Sequence, residues 1–262
     1  MSVSIHISFI RCGSKNFMFA CSFFLAIALS ILLLASALHA QSDGEMFTPK
    51  EATKPHVHFP SPRSSGAVRA AVGLRLLTLP QDIVEDEINK APALDAVVTV
   101  GLPWQFEAGG SAVLQYVTNQ FRAGGRWTHR LGDFGIGVGY DIGLWFGFVD
   151  FEGFDNRANG WTHYPNLALG YDLGDVLLTV KAEAIWLHAM RTFAGENEVR
   201  STRNRLAGSA VTVVLEQPFW KDTHASLGVR LSLTEFHYQS WFAFSTFERK
   251  LLFSELMLGI LL

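Results

Sequence analysis

The sequence predicts an all-β protein, an antiparallel up-and-down transmembrane β-barrel of about ten strands, with eight to twelve allowed. Three observations lead there. Apolar residues make up 49% and aromatic residues 13% of the 262, but charged residues only 17%, against roughly 25% in an ordinary soluble domain. Beyond the N-terminus, no stretch approaches the roughly 18 consecutive apolar residues that a spanning helix needs; the longest runs, Ile142–Val149 and Leu256–Leu262, are too short. Apolar side chains instead recur at every second position, which is the period of a strand and not the 3.6 of a helix.

The first forty residues read as an export signal. Arg11 and Lys15 stand in a segment without acidic residues, followed by the apolar run Phe17–Leu34 and the small residues up to Ala40. A positive start, an apolar core and small residues at the end describe a cleaved signal peptide over 1–40, with cleavage after Ala37 or Ala40. Met18 is an alternative start. Both cysteines, Cys12 and Cys21, fall inside this segment, so the mature chain has no disulfide framework, Cys-ligated zinc or thiol nucleophile. Removing it takes two of the 21 basic residues and none of the 24 acidic ones, moving the net charge from −3 to −5. Such a balance argues against a nucleic-acid partner.

Residues 41–65 carry Pro49, Pro55, Pro60 and Pro62. That density denies a helix or a paired strand, so the segment reads as an extended, Pro-rich periplasmic leader. Its His56-Val57-His58 is read as a solvated pair and not a metal clip. The barrel then occupies 66–262.

Alternation begins at Val68, Ala70, Val72, Leu74 and Leu76, opposite Arg69 and Arg75. Leu94–Leu102 sets Leu94, Ala96, Val98 and Val100 against Asp95, Val97 and Thr99. A third segment sets Phe106, Ala108, Ala112 and Leu114 against Glu107, and a fourth sets Phe121, Ala123 and Trp127 against Arg122 and Arg126. The clearest is the fifth, Phe134 to Phe148, whose other face carries glycines and Asp141. Leu167–Tyr171, then Val176–Trp186 with Lys181 and Glu183, continue the pattern. Leu206–Glu216 is ambiguous in phase because valines fall on both faces. Ala225–Leu233 with Arg230, and Leu252–Leu262 with Glu255, complete about ten strands. Tight turns at Leu102–Gln105, Leu131–Phe134 and Leu173–Asp175 mostly alternate with longer polar connectors at Pro80–Pro92, Val149–Thr162 and Thr192–Asn204. The short link Thr118–Gln120 is the exception.

The signal peptide, the cysteine-free mature chain, the strand–short-turn–strand pattern and the strand at the end together resemble Gram-negative outer-membrane β-barrel proteins. The resemblance is architectural and covers 66–262. It departs at the C-terminus, where Leu258-Gly259-Ile260-Leu261-Leu262 stands in place of the family's usual terminal aromatic. It implies a location in the bacterial outer membrane, with membrane lipid and the assembly machinery as partners.

Charges facing lipid cost several kcal/mol near the bilayer midplane, so the alternation sends Arg69, Arg75, Glu107, Arg122, Arg126, Asp141, Lys181, Glu183, Arg230 and Glu255 into the lumen. A barrel of this size is narrow. The expected function is therefore a structural or passive small-solute transport role, with the lumen narrow or plugged by those charges. No cofactor, metal or catalytic residue is expected, and the small-molecule ligand, if any, stays open. Two alternatives compete. A surface hydrolase would use Asp150, Glu152, Asp155 and His163 with His188 and His237, although no G-x-S-x-G or H-E-x-x-H motif supports it. A soluble periplasmic β-protein would share the alternation. The acidic cluster Asp82, Glu85, Asp86 and Glu87 lacks calcium-loop spacing and reads as a solvated turn.

Overall fold

Ten strands follow one another in chain order, each antiparallel to its neighbours: β1 Val68–Thr78, β2 Lys90–Gly101, β3 Phe106–Leu114, β4 Thr118–Leu131, β5 Phe134–Phe151, β6 Phe154–Asp172, β7 Leu177–Ala194, β8 Asn197–Trp220, β9 Thr223–Thr234 and β10 Leu251–Leu261. The computed structural model describes residues 54–82, 89–151, 154–220, 223–241 and 249–262. β1 pairs with β10 from Ala71↔Leu261 to Thr78↔Ser254, which closes the sheet. Closure leaves no edge strand, so ladder N–H and C=O groups are paired without a helix. No helix among the described residues is long and apolar enough to cross a membrane.

The two faces differ as the alternation requires. Val72, Leu74, Phe106, Val138, Leu169, Val213, Leu231 and Ile260 lie exposed on the outside. Leu77, Glu107, Gln120, Trp145, Ala168, Glu183 and Glu255 are buried inside. Val211 and Val213 point out while Val214 points in. Ala207 bulges from β8 opposite Ile185 and Trp186. The bulge breaks the two-residue period in the middle of this strand, as bulges do.

Three strand pairs, β2–β3, β4–β5 and β6–β7, are joined by described tight turns at one end of the barrel, where β1 begins and β10 finishes. At the other end the connections differ from the sequence reading. The polar stretches 149–162 and 192–204 are not loops but the outer portions of two long hairpins, β5–β6 and β7–β8. Both faces of these extensions carry Asp, Asn, Arg and Glu, so the apolar alternation by which a strand is recognised is absent there. Thr118–Gln120 opens β4, and the short link precedes it. The long connection at this end that the sequence left unassigned is the one between β9 and β10. Its first part turns back into the barrel, and Phe236 through Trp241 are all buried.

The signal peptide, residues 41–53 of the leader, Glu85, Asp86, Glu87 and Glu152 lie outside the described residues. Of the acidic cluster, Asp82 is exposed and pairs with Arg249 at 3.6 Å.

Candidate functional site

The lumen is filled by three layers, and each is built from residues whose position in a strand dictates where they point.

The lower layer, at the tight-turn end, is the chain segment before β1. A leader lying outside the barrel was expected for 41–65, but residues 54–63 are folded into the lumen, and Ser64 and Ser65 lie exposed at its rim. Lys54 anchors the segment to Asp172 at the end of β6, 3.2 Å away. The backbone N–H groups of Val57, His58 and Phe59 then donate to the carboxylate of Glu216 on β8, at 2.6, 3.1 and 2.9 Å. A proline-rich strand cannot pair along a sheet, so one carboxylate serving three successive donors replaces the missing ladder. Arg63 is buried and reaches Glu107 on β3 at 3.2 Å and the hydroxyl of Thr99 on β2. It also donates to the carbonyl of His56 at 3.0 Å, which ties the segment to itself. Arg126 donates to the carbonyl of His58 at 3.2 Å.

Glycines make the room. Phe59 and Pro60 lie directly over Gly170 of β6 and Gly135 of β5, where any Cβ would collide with them. Gly135 and Gly137 of β5, part of the face that alternates with the apolar residues, are thus a seat for inserted chain. His56 and His58 belong to this insert and are not solvated. Burial, and secondarily the nearby Arg63, pushes the His56 imidazole down to about 4. His58 is lowered as well, chiefly by burial.

The middle layer is a belt of ion pairs. Glu183 on β7 accepts from Arg230 on β9, from Arg122 on β4 at 3.3 Å, and lies 3.5 Å from Lys181. Glu255 on β10 accepts from Arg75 on β1 at 2.9 Å and from Arg230 at 3.2 Å. Arg75 also holds Asp95 on β2 at 2.8 Å. Lys181 reaches Asp141 on β5 at 3.2 Å, with Asn166 donating to the same carboxylate at 3.1 Å. Arg126 grips Glu107 through two nitrogens, its Nε at 3.0 Å. Six cations, Arg63, Arg75, Arg122, Arg126, Lys181 and Arg230, therefore face the six carboxylates Asp95, Glu107, Asp141, Glu183, Glu216 and Glu255. Nine of the ten residues assigned to the lumen from sequence stand in this belt. Arg69 shares the inward face of β1 near the tight-turn rim and makes no ion pair among the described residues.

Sequence reasoning missed Asp95, Glu216 and Arg63. Asp95 already lay opposite the apolar residues of its segment. Glu216 closed the segment whose phase was ambiguous, and Arg63 sat among prolines, where no periodicity assigns a direction. Between the lower insert and the belt is a cavity of about 160 Å³, lined by His58, Arg126, Asp141, Lys181 and Thr212 among others.

The upper layer is the start of the β9–β10 connection. Phe236 packs on Trp145 with ring centres 5.1 Å apart, and Trp241 lies against Gly147 and donates to the Thr118 hydroxyl at 2.9 Å. Tyr238 joins Trp145, Tyr164, Ile185 and Leu187 in one apolar cluster. His237 stacks on Phe253 at 4.7 Å and approaches Glu255 at 3.4 Å; burial lowers its affinity for a proton. Arg122 lies 3.7 Å below the Tyr164 ring and joins this layer to the belt.

Among the described residues, the hydrolase candidates meet only as two separate pairs, Asp150 with Asp155 and His163 with His188. Asp155 sits at the tip of the β5–β6 hairpin, opposite Asp150 and paired with Arg157. His163 is far down β6, opposite Ile142 on the outer face, where it accepts or donates a 2.8 Å hydrogen bond with Tyr140 and packs edge-on against His188. His237 is inside the barrel. Among the described residues there is no group of three side chains fit to hold a metal.

The architecture is a closed barrel of ten antiparallel strands. No protein family and no curated protein matches the chain. Among solved structures it is similar to the outer membrane protease OmpT of Escherichia coli, at 8% identity over 84% of this chain and 98% of that one, TM-score 0.47. It is also similar to the translocator domain of the autotransporter NalP of Neisseria meningitidis, at 11% identity over 90% and 96%, TM-score 0.39. Neisserial surface protein A matches at 12% identity over 74% and 94%, TM-score 0.35.

Proposed function

We propose that the chain is an integral protein of the bacterial outer membrane, exported by its signal peptide, with a closed lumen and a structural role. The observation that carries this reading is the stacking of two inserted chain segments on a charge-balanced belt. A conducting pore needs ions to enter and leave a wetted path. Here the belt charges are consumed by one another, and chain segments cover them on both sides.

The outer surface supports the membrane location. Trp127, Phe134, Tyr171 and Trp220 are exposed near the tight-turn end, and Trp161 and Trp186 are exposed higher up. From Tyr171 to Trp161 the strand climbs roughly 25 Å at ordinary rise and tilt, the height of the apolar band of a transmembrane barrel. Outer-membrane lipid and the assembly machinery are the partners this reading requires.

The test is a refolded chain in bilayers. Insertion is read as heat-modifiable migration on an unboiled gel, and conduction as single-channel current. The wild type inserts and passes no steady current. Deleting 54–65 alone leaves the upper layer closing the barrel; deleting it together with 236–241 opens a channel. Steady current through the wild type would replace this reading with passive transport of small solutes.

A further inference from the structure

On the outer face of the long hairpins, three arginines form a diagonal stripe across three strands. Register fixes their placement. Arg191 of β7 is opposite Asn159 of β6, and Arg157 lies two residues from Asn159 toward the hairpin tip. Arg203 of β8 is opposite Ala189, two residues from Arg191 in the other direction. Successive members are thus diagonal neighbours, roughly 7–8 Å apart. All three are exposed, and they share a face with Trp161, which stands opposite Ala189.

Like charges at that spacing repel, and among the described residues they are only partly relieved. Arg157 has Asp155 at 3.5 Å and the Gly195 carbonyl at 3.1 Å. Arg191 and Arg203 make no hydrogen bond or ion pair among the described residues. Glu198, opposite Phe193, is a further carboxylate on these hairpins. The stripe begins level with Trp161, one of the aromatic residues at the top of the apolar band, and rises from there. In a bilayer that is headgroup height, where the dielectric constant falls and unpaired guanidinium groups attract phosphate strongly.

We propose that Arg157, Arg191 and Arg203 form a binding site for the phosphate groups of a lipid in the leaflet at the long-hairpin end. Its acyl chains lie along Trp161 and Trp186 while its phosphates sit between the guanidinium groups. This rests on the membrane-spanning reading above, because only a bilayer places a lipid headgroup at that height.

The probe is lipid A carrying two phosphates, titrated onto the full chain refolded in detergent and followed by native mass spectrometry. One lipid binds the wild type saturably. The variant R157Q/R191Q/R203Q binds about tenfold more weakly or worse, as expected for loss of several charge-assisted contacts, while R191K/R203K, which keeps the charge, binds more tightly than the glutamine variant. Dephosphorylated lipid A and free inorganic pyrophosphate bind poorly. Unchanged binding by the glutamine variant overturns the proposal, as does pyrophosphate binding as well as the lipid, which would make this a site for a soluble anion. Heat-modifiable migration is read on every variant. Its absence in the wild type would sink the membrane reading itself, whereas its presence with unchanged lipid binding sinks only this site.

Discussion

The two inserts that close the lumen are held by opposite means. The lower one is fixed by polar groups: three backbone N–H groups on Glu216, and Arg63 between Glu107 and Thr99. The upper one is fixed by apolar contact, with Phe236, Tyr238 and Trp241 seated among Trp145, Tyr164, Ile185 and Leu187. Sequence explains the difference. Residues 54–65 are extended and rich in proline, so their main chain needs acceptors that a sheet does not supply. Phe236–Trp241 carries three aromatic side chains in six residues and makes its own short 3₁₀ turn at Tyr238–Ser240, so it needs a pocket and not a partner strand. The lower closure should therefore yield to charge and pH, and the upper one to loss of volume.

The largest effect is expected from Trp145→Ala. The ring is fully buried under Phe236, and emptying such a site costs about 3–5 kcal/mol. A fall in the urea midpoint of the refolded barrel, with the amides of 54–65 still protected, would show that the upper seat is independent of the lower. Equal loss of protection at both ends would show one cooperative core and break the comparison.

Next is Glu216→Ala. Losing a carboxylate that serves three successive backbone donors, two of them buried, costs roughly 2–3 kcal/mol. Hydrogen exchange should locate the damage at Val57–Phe59 while the strand amides keep their protection. A global loss of stability with the insert still docked would mean that Arg63 and the Phe59–Pro60 seat hold the segment without the clamp.

The belt and the inserts were legible in the sequence to different depths. Parity alone placed Arg75, Glu107, Arg122, Arg126, Asp141, Lys181, Glu183, Arg230 and Glu255 on the inner face, because lipid forbids charge on the other. Parity could not say which cation meets which carboxylate, since that depends on strand order and register across the barrel: Arg75 meets Glu255 only because β1 closes on β10. The inserts were illegible for another reason. A segment without period-two or period-3.6 alternation has no face, so nothing in residues 54–65 announced that they turn inward. The glycines of β5 and β6 held the missing information. Gly135 and Gly170 are each the absence of a side chain where Pro60 or Phe59 must fit. An unexplained run of inward glycines in a barrel strand is thus a signal for inserted chain.

Acid should loosen the lower insert by a smaller amount. His56 is buried and its imidazole is pushed down to about 4, against an ordinary 6.5. Its proton affinity is lower folded than unfolded, so the docked state is unaffected above about pH 6.5 and loses stability as pH falls from there toward 4. At pH 5 the loss relative to pH 7 is about 2 kcal/mol. Burial, aided by Arg63, outweighs the Lys54 carbonyl and the Glu216 and Glu107 carboxylates, which favour the proton. Exchange of residues 54–65, corrected for the intrinsic effect of pH, should rise between pH 7 and 5 while the upper insert stays protected; His56→Gln should flatten the dependence.

The smallest effect is expected where the barrel leaves the apolar band. Asp155 and Arg157 are more than half exposed and 3.5 Å apart, so Asp155→Asn should change stability by less than about 0.5 kcal/mol. The same substitution separates the interior from the exterior in function. It removes the carboxylate that pairs with Arg157, so the unfolding midpoint stays put while lipid A binding tightens. A substitution that weakened lipid binding instead would mean that Asp155 orients Arg157 for the phosphate rather than competing with it.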